Sequence, residues 1–352
     1  MAEGAQELPL PEELVAPARA ADWSYAPAEQ HLLQAAEHWR RVQHLRPAGE
    51  DARRVLLLLI DVQKDFCLPE GSLYVGGRSG RGAVEDAERT ARLIYRNLHR
   101  ITEIVCTMDT HHPWQIFFPA FWLDAEGRHP PPHTTVRAEQ VRAGLFRPHP
   151  AAAHWLCGGD VQWLAQQAEF YCAELERRGK YTLYLWPPHC LLGSPGHALT
   201  GVLQEARLFH ALCRGAPNPI VLKGDNPLTE HYSALAPEVM VRFDGEPLGS
   251  RNQALVEKLL GADALLVAGQ AASHCVKWTL EDLLGEIERR DERLARKIYI
   301  LRDCTSAVAV PDPQGGLAAD FTPQAEQAFA RFAAAGMHLV ESTSPMADWL
   351  EL

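Results

Sequence analysis

A cysteine at position 275 stands between a strand-like run, Ala264–Ala268, and a helix-like run that starts at Val276. A helix N-terminus carries partial positive charge, which favours thiolate over thiol. Open α/β sheets also place their sites at the carboxyl ends of strands. Two more apolar runs end in a charge: Val55-Leu-Leu-Leu-Leu-Ile60 delivers Asp61, and Pro219-Ile-Val-Leu222 delivers Lys223. An unpaired charge is costly beside a buried strand, so these two are not explained by packing. Singly, each has an ordinary reading: a small buried thiol, a solvated loop Asp, a snorkelling Lys. Jointly they make a coherent chemistry, in which a carboxylate accepts the thiol proton, a cation favours the thiolate and the thiolate attacks a carbonyl carbon.

A second group points to a metal. The strand-like run Ile101–Met108 leads into Asp109-Thr110-His111-His112-Pro113. Asp109 and His111 set a hard oxygen and an imidazole on one side of an extended segment, a start for a divalent cation. His189, on the proline-stiffened turn Trp186-Pro187-Pro188-His189-Cys190, is the third candidate ligand. Of sixteen histidines, six crowd between positions 111 and 154. Among these His112, His129 and His133 are candidates for a fourth ligand, with a surface position as the plain alternative for each.

Strands alternate with helical patterns over most of the chain, which predicts an α/β fold: a doubly wound, mostly parallel sheet flanked by helices. The expected helices are about 28–45, 84–100, 161–178, 252–260, 276–290 and 323–335, and further strands are expected at 297–301 and 337–340. Residues 1–52 read as an N-terminal helical extension, and 53–352 as the body. Within the body, about 114–181 reads as a loose, proline-rich insertion with one helical piece. No GxGxxG follows the first strand, which argues against a dinucleotide site.

The chain has 352 residues, 47% hydrophobic and 22% charged, as is ordinary for a globular protein. A formal net charge of −11 argues against nucleic acid or an anionic membrane surface as partner. Eight scattered cysteines without CxxC pairs read as reduced thiols. The start, MAEGAQELPLPEEL, has neither the basic nor the apolar region of a secretory signal, and no apolar run approaches the ~20 residues of a bilayer span. The expectation is a cytoplasmic protein.

In five places the sequence resembles the isochorismatase-like cysteine hydrolases, and within them the nicotinamidases. The motifs are IDVQKDF (60–66) with GSLYVGG (71–77), MDTHHP (108–113), WPPHC followed by GSPG (186–196), VLKG (221–224) and GQAASHCV (269–276). The resemblance covers about residues 54–310. It implies Cys275 as nucleophile, Asp61 as proton acceptor and Lys223 as the third member of a triad. It implies Asp109, His111 and His189 as ligands of zinc, iron or manganese, and Phe66 and Trp186 as aromatic walls around the substrate ring. The backbone N–H groups of Ala271 and Cys275 are implied as an oxyanion hole, with a cis peptide between Gln270 and Ala271. The function implied is metal-assisted hydrolysis of a small-molecule amide, nicotinamide to nicotinate and ammonia, through a Cys275 thioester. Relatives of this kind commonly form homo-oligomers. Thr110 departs from the pattern, standing where many nicotinamidases carry an aromatic. The alternatives are a related amidase acting on another heteroaromatic or aliphatic amide, and a non-catalytic binding module.

Overall fold

The computed structural model describes residues 7–179, 181–312 and 316–350. Its centre is a six-stranded sheet. The strands are β1 (Val55–Ile60), β2 (Glu103–Asp109), β3 (Ile220–Lys223), β4 (Ala264–Gly269), β5 (Ile298–Leu301) and β6 (His338–Val340). They lie in the order β6-β5-β4-β1-β2-β3, and every pairing is parallel. From β1 the chain winds outward through β2 to β3, then returns to β4 on the other side and winds out to β6. The winding therefore reverses between β1 and β4, where a crevice opens at the carboxyl ends of the strands.

Strand β1 is buried along its whole length, because helices cover both faces of the sheet. Val55, Leu57 and Leu59 face a core completed by α1 (Glu29–Val42), α2 (Gly82–Arg96) and α4 (Gly201–Arg214). Leu56, Leu58 and Ile60 face the opposite core, built with α5 (Gln253–Leu260), α6 (Cys275–Arg290) and α7 (Thr322–Ala334). Helix α1 buries Leu32 and Ala36 and sets Trp39 against Phe209 of α4, ring centroids 6.4 Å apart. Among the described residues no helix is long and apolar enough to cross a membrane.

Two expectations change. Strand β3 is an edge strand: Ile220 and Leu222 are 40% and 57% exposed, and within β3 only Lys223 is buried. A strand with one neighbour has an uncovered flank, so an apolar run alone does not imply burial there. The described residues of 114–181 are also far from loose. They contain helices Ala138–Arg142, Pro150–Cys157 and α3 (Val161–Arg178). Two small antiparallel pairings join them, Trp122–Asp124 with Phe146–Pro148 and Thr135–Val136 with Leu183–Tyr184. Ile116, Phe118, Phe121, Trp122, Leu164 and Tyr171 form a separate core that continues to Leu185 and Trp186. Scattered aromatics with no single period condense here because each short element packs on the others.

Candidate active site

The crevice brings Asp61, Lys223 and Cys275 together. Asp61 follows β1 with φ 49° and is fully buried. Its carboxylate accepts the Thr107 hydroxyl at 2.6 Å and meets Lys223 Nζ at 2.8 Å. Lys223 Nζ also lies 3.0 Å from Asp109 Oδ1, 2.8 Å from the His231 carbonyl and 3.6 Å from Cys275 Sγ. Next to Asp61, β4 ends at Gly269 with φ +118°, where a Cβ would stand 2.1 Å from the Ile60 carbonyl oxygen; only glycine lets the two central strands part there.

The charge balance differs from the expectation of a ready thiolate. Burial pushes the Cys275 thiol well up; Lys223 opposes this, while Asp61 and Asp109 add to it. Burial also raises Asp61 against the pull of Lys223. Lys223 is held charged: burial works against the ammonium, but Asp109 and Asp61 outweigh it. These directions favour a neutral thiol beside a charged Lys223. The Asp61 carboxyl, raised in this way, is the better acceptor for a proton from the neighbouring thiol.

Cys275 opens α6. The peptide bond Gln270–Ala271 is cis. In the turn that follows, the amides of Ala272, His274 and Val276 are bonded to the carbonyls of Ser306, Ala271 and Ala271. Among the described residues the amides of Ala271 and Cys275 have no backbone acceptor, which leaves two donors for an oxyanion.

Asp109, His111 and His189 are buried, with their ligand atoms within 4.8 Å of one another. His111 Nε2 is 3.0 Å and His189 Nε2 3.9 Å from the Asp109 carboxylate. Each imidazole is turned by its other nitrogen: His111 Nδ1 bonds the His189 carbonyl at 3.0 Å, and His189 Nδ1 the Pro187 carbonyl at 2.8 Å. This leaves both Nε2 lone pairs for a cation, the usual outer-shell support of a metal site. Gln63 clamps the Asp109 backbone from both sides, donating to its carbonyl at 2.8 Å and accepting from its amide at 2.7 Å. Gly224 completes the cradle with φ +84°, since a Cβ there would come 2.7 Å from Asp109 Oδ1 and 3.0 Å from His111 Nε2. This donor set fits a divalent cation. A second acidic cluster, Asp61, Asp109 and Cys275, is also tight, but the Lys223 ammonium touches all three members, so it does not suit a metal.

None of the further histidines reaches that group. His112 packs edge-on to Trp155, His129 stacks on His149 and bonds the Trp122 carbonyl, and His133 bonds the Tyr184 hydroxyl. Phe66 and Trp186 do line the cavity that holds Cys275, Asp109, His111 and His189. The sequence reading missed four further polar residues of the wall, Glu230, His231, Tyr232 and His274. Burial raises Glu230 to about 8 and lowers His274 to about 4, so both are neutral near pH 7. Their signal was faint: a Glu-His-Tyr run seven residues past Lys223, and a histidine adjoining Cys275.

No family model matches the chain. Over 172 residues it is 30% identical to the nicotinamidase of Escherichia coli (strain K12), a match covering 47% of this chain and 60% of that protein. Over about half its length this chain is similar to a nicotinamidase. The matched segment spans about three fifths of that relative's length. Among solved structures, the nicotinamidase/pyrazinamidase of Acinetobacter baumanii aligns at 20% identity and a TM-score of 0.48, covering 84% of this chain and 99% of that one. The yeast nicotinamidase bound to the inhibitor nicotinaldehyde aligns at 18% identity and 0.48, covering 82% and 99%.

Proposed function

We propose that the protein is a cysteine amidohydrolase that takes a heteroaromatic carboxamide, nicotinamide in the first place, to the acid and ammonia. The observation that carries this reading is the position of one ammonium. Lys223 Nζ touches Asp61 at 2.8 Å, Asp109 at 3.0 Å and Cys275 Sγ at 3.6 Å, and so joins a nucleophile and its base to a three-ligand metal cradle. Kinship with a nicotinamidase, and aromatic walls at Phe66 and Trp186, support the choice of a ring amide.

Asp109, His111 and His189 would hold a divalent cation, zinc, iron or manganese, whose positive charge attracts a ring nitrogen lone pair. Phe66 and Trp186 flank the ring and leave the carboxamide facing Cys275. Asp61 takes the thiol proton, and sulfur forms a bond to the carbonyl carbon. The oxygen, now negative, accepts from the Ala271 and Cys275 amides. Asp61 returns the proton to the amide nitrogen, the C–N bond breaks and ammonia leaves a thioester. Water then gives its proton to Asp61 and its oxygen to the acyl carbon. The acid departs, and the proton goes back to sulfur. Lys223 stays charged throughout, which keeps Asp61 in place and stabilises sulfur while it is negative.

The test is ammonia release from nicotinamide by the purified, metal-loaded protein, beside Cys275→Ala and a chelated sample. Release lost in both controls is the expected result. Release that survives chelation moves the reading to an amidase independent of metal. No release from folded, loaded protein removes nicotinamide as substrate.

A further inference from the structure

The insertion reaches the cavity through four hydrogen bonds that link Tyr171, Glu230, Tyr232 and Trp186. Tyr171, on α3, donates its hydroxyl to Glu230 Oε2 at 2.8 Å and accepts the Glu230 backbone N–H at 2.9 Å. Tyr232 donates to the other oxygen, Glu230 Oε1, at 2.9 Å and accepts the indole N–H of Trp186 at 2.7 Å. Tyr171 and Glu230 are 0% and 2% exposed, and among the described residues no cation pairs with Glu230. A buried carboxyl needs partners for its polar atoms even when neutral, and two hydroxyls hold its two oxygens. The same helix grips the segment after Glu230: Gln167 accepts the Phe243 amide at 3.1 Å, and Arg178 donates to the Glu238 carbonyl. A plain buttress would need only apolar contact. This chain of bonds ends instead on the one polar atom of the indole that walls the cavity.

We infer that Tyr171 and Glu230 are positioning residues through which the insertion sets the plane of Trp186, and with it the seat of the substrate ring. The inference rests on the amidase reading above, in which Trp186 flanks that ring. Removing the Tyr171 hydroxyl frees Glu230 Oε2 and the Glu230 amide, and Tyr232 and Trp186 lose their fixed reference. A misplaced ring is bound less well and presents its carboxamide off line.

The experiment compares Tyr171→Phe and Glu230→Gln with Leu164→Val, a change in the insertion core that touches none of these bonds. Protein labelled with 5-fluorotryptophan is used, with the Trp186 resonance assigned by Trp186→Phe. Tyr171→Phe is expected to shift or broaden that resonance and to raise KM for nicotinamide about tenfold, with kcat changing less than about twofold. Glu230→Gln, which keeps one acceptor oxygen, is expected to fall between it and the parent, and Leu164→Val to do neither at a comparable loss of Tm. An unmoved resonance and KM in Tyr171→Phe, or equal effects from Leu164→Val, overturns the inference. Should the parent release no ammonia, the functional reading fails by itself. The resonance then decides: a shift specific to Tyr171→Phe supports the positioning role, and its absence overturns it.

Discussion

At the scale of single residues, the proposed reaction depends on passing the Cys275 proton to Asp61. Burial and two carboxylates hold the thiol neutral, so the acceptor matters as much as the nucleophile. Asp61→Asn and Cys275→Ala are each expected to lower kcat by about a thousandfold or more while Tm stays near the parent's, as read by ammonia release and calorimetry. Gly224→Ala tests the cradle. Its methyl group would overlap Asp109 Oδ1, and its φ of +84° is unfavourable to any Cβ. Titration calorimetry with zinc or manganese is expected to show affinity down about 10–100-fold, with the triad itself unchanged in sequence.

At the scale of elements, three strands carry the proposed triad from the carboxyl edge of the sheet, and the insertion shapes the cavity. Strands β1, β3 and β4 deliver Asp61, Lys223 and, one turn later, Cys275. The insertion supplies no triad member, yet it packs against the wall that includes Trp186 and Glu230. Helix α1 is remote from this chemistry. Leu32→Ala is expected to cost about 2–5 kcal/mol of stability, through the cavity left against α4, with kcat and KM within about twofold of the parent. Denaturant unfolding beside steady-state kinetics separates the two effects.

At the scale of the whole molecule, stability should report both the cation and the buried carboxyl. If Asp109, His111 and His189 hold a divalent ion in the folded state only, removal by chelator is expected to lower Tm by about 5 °C or more, restored by adding the metal back. For Glu230 the sign follows from its shift to about 8, from an ordinary 4.5. The unfolded chain releases this proton above pH 4.5, while the folded chain keeps it until about pH 8. Its contribution is thus complete below pH 4.5 and is lost as pH rises toward 8, so Tm should fall across that window. Among the described residues Tyr171, Tyr181, Tyr232 and Glu238 face Glu230, and Glu230→Gln should flatten the fall.

The sequence by itself determined the parallel sheet and the residues at its carboxyl edge. Runs such as Val55–Ile60 have no polar side, which suits a strand covered on both faces, and Asp61, Lys223 and Cys275 stand where such runs stop. Asp109 and His111 stand out for a similar reason, as ligand types two positions apart after a strand, and His189 by its place on a proline-stiffened turn. Tertiary structure alone decided how those residues share charge, because burial and the Lys223 contacts come from strands far apart in sequence. It also decided the exposure of Ile220 and Leu222, which depends on β3 having a single neighbour, and the order of the insertion, whose core is assembled from short elements with no common period. Glu230 shows the limit most plainly. Nothing local marks it: its burial and its partners come from α3 and from Tyr232, and only the packing of the insertion on the body brings them together.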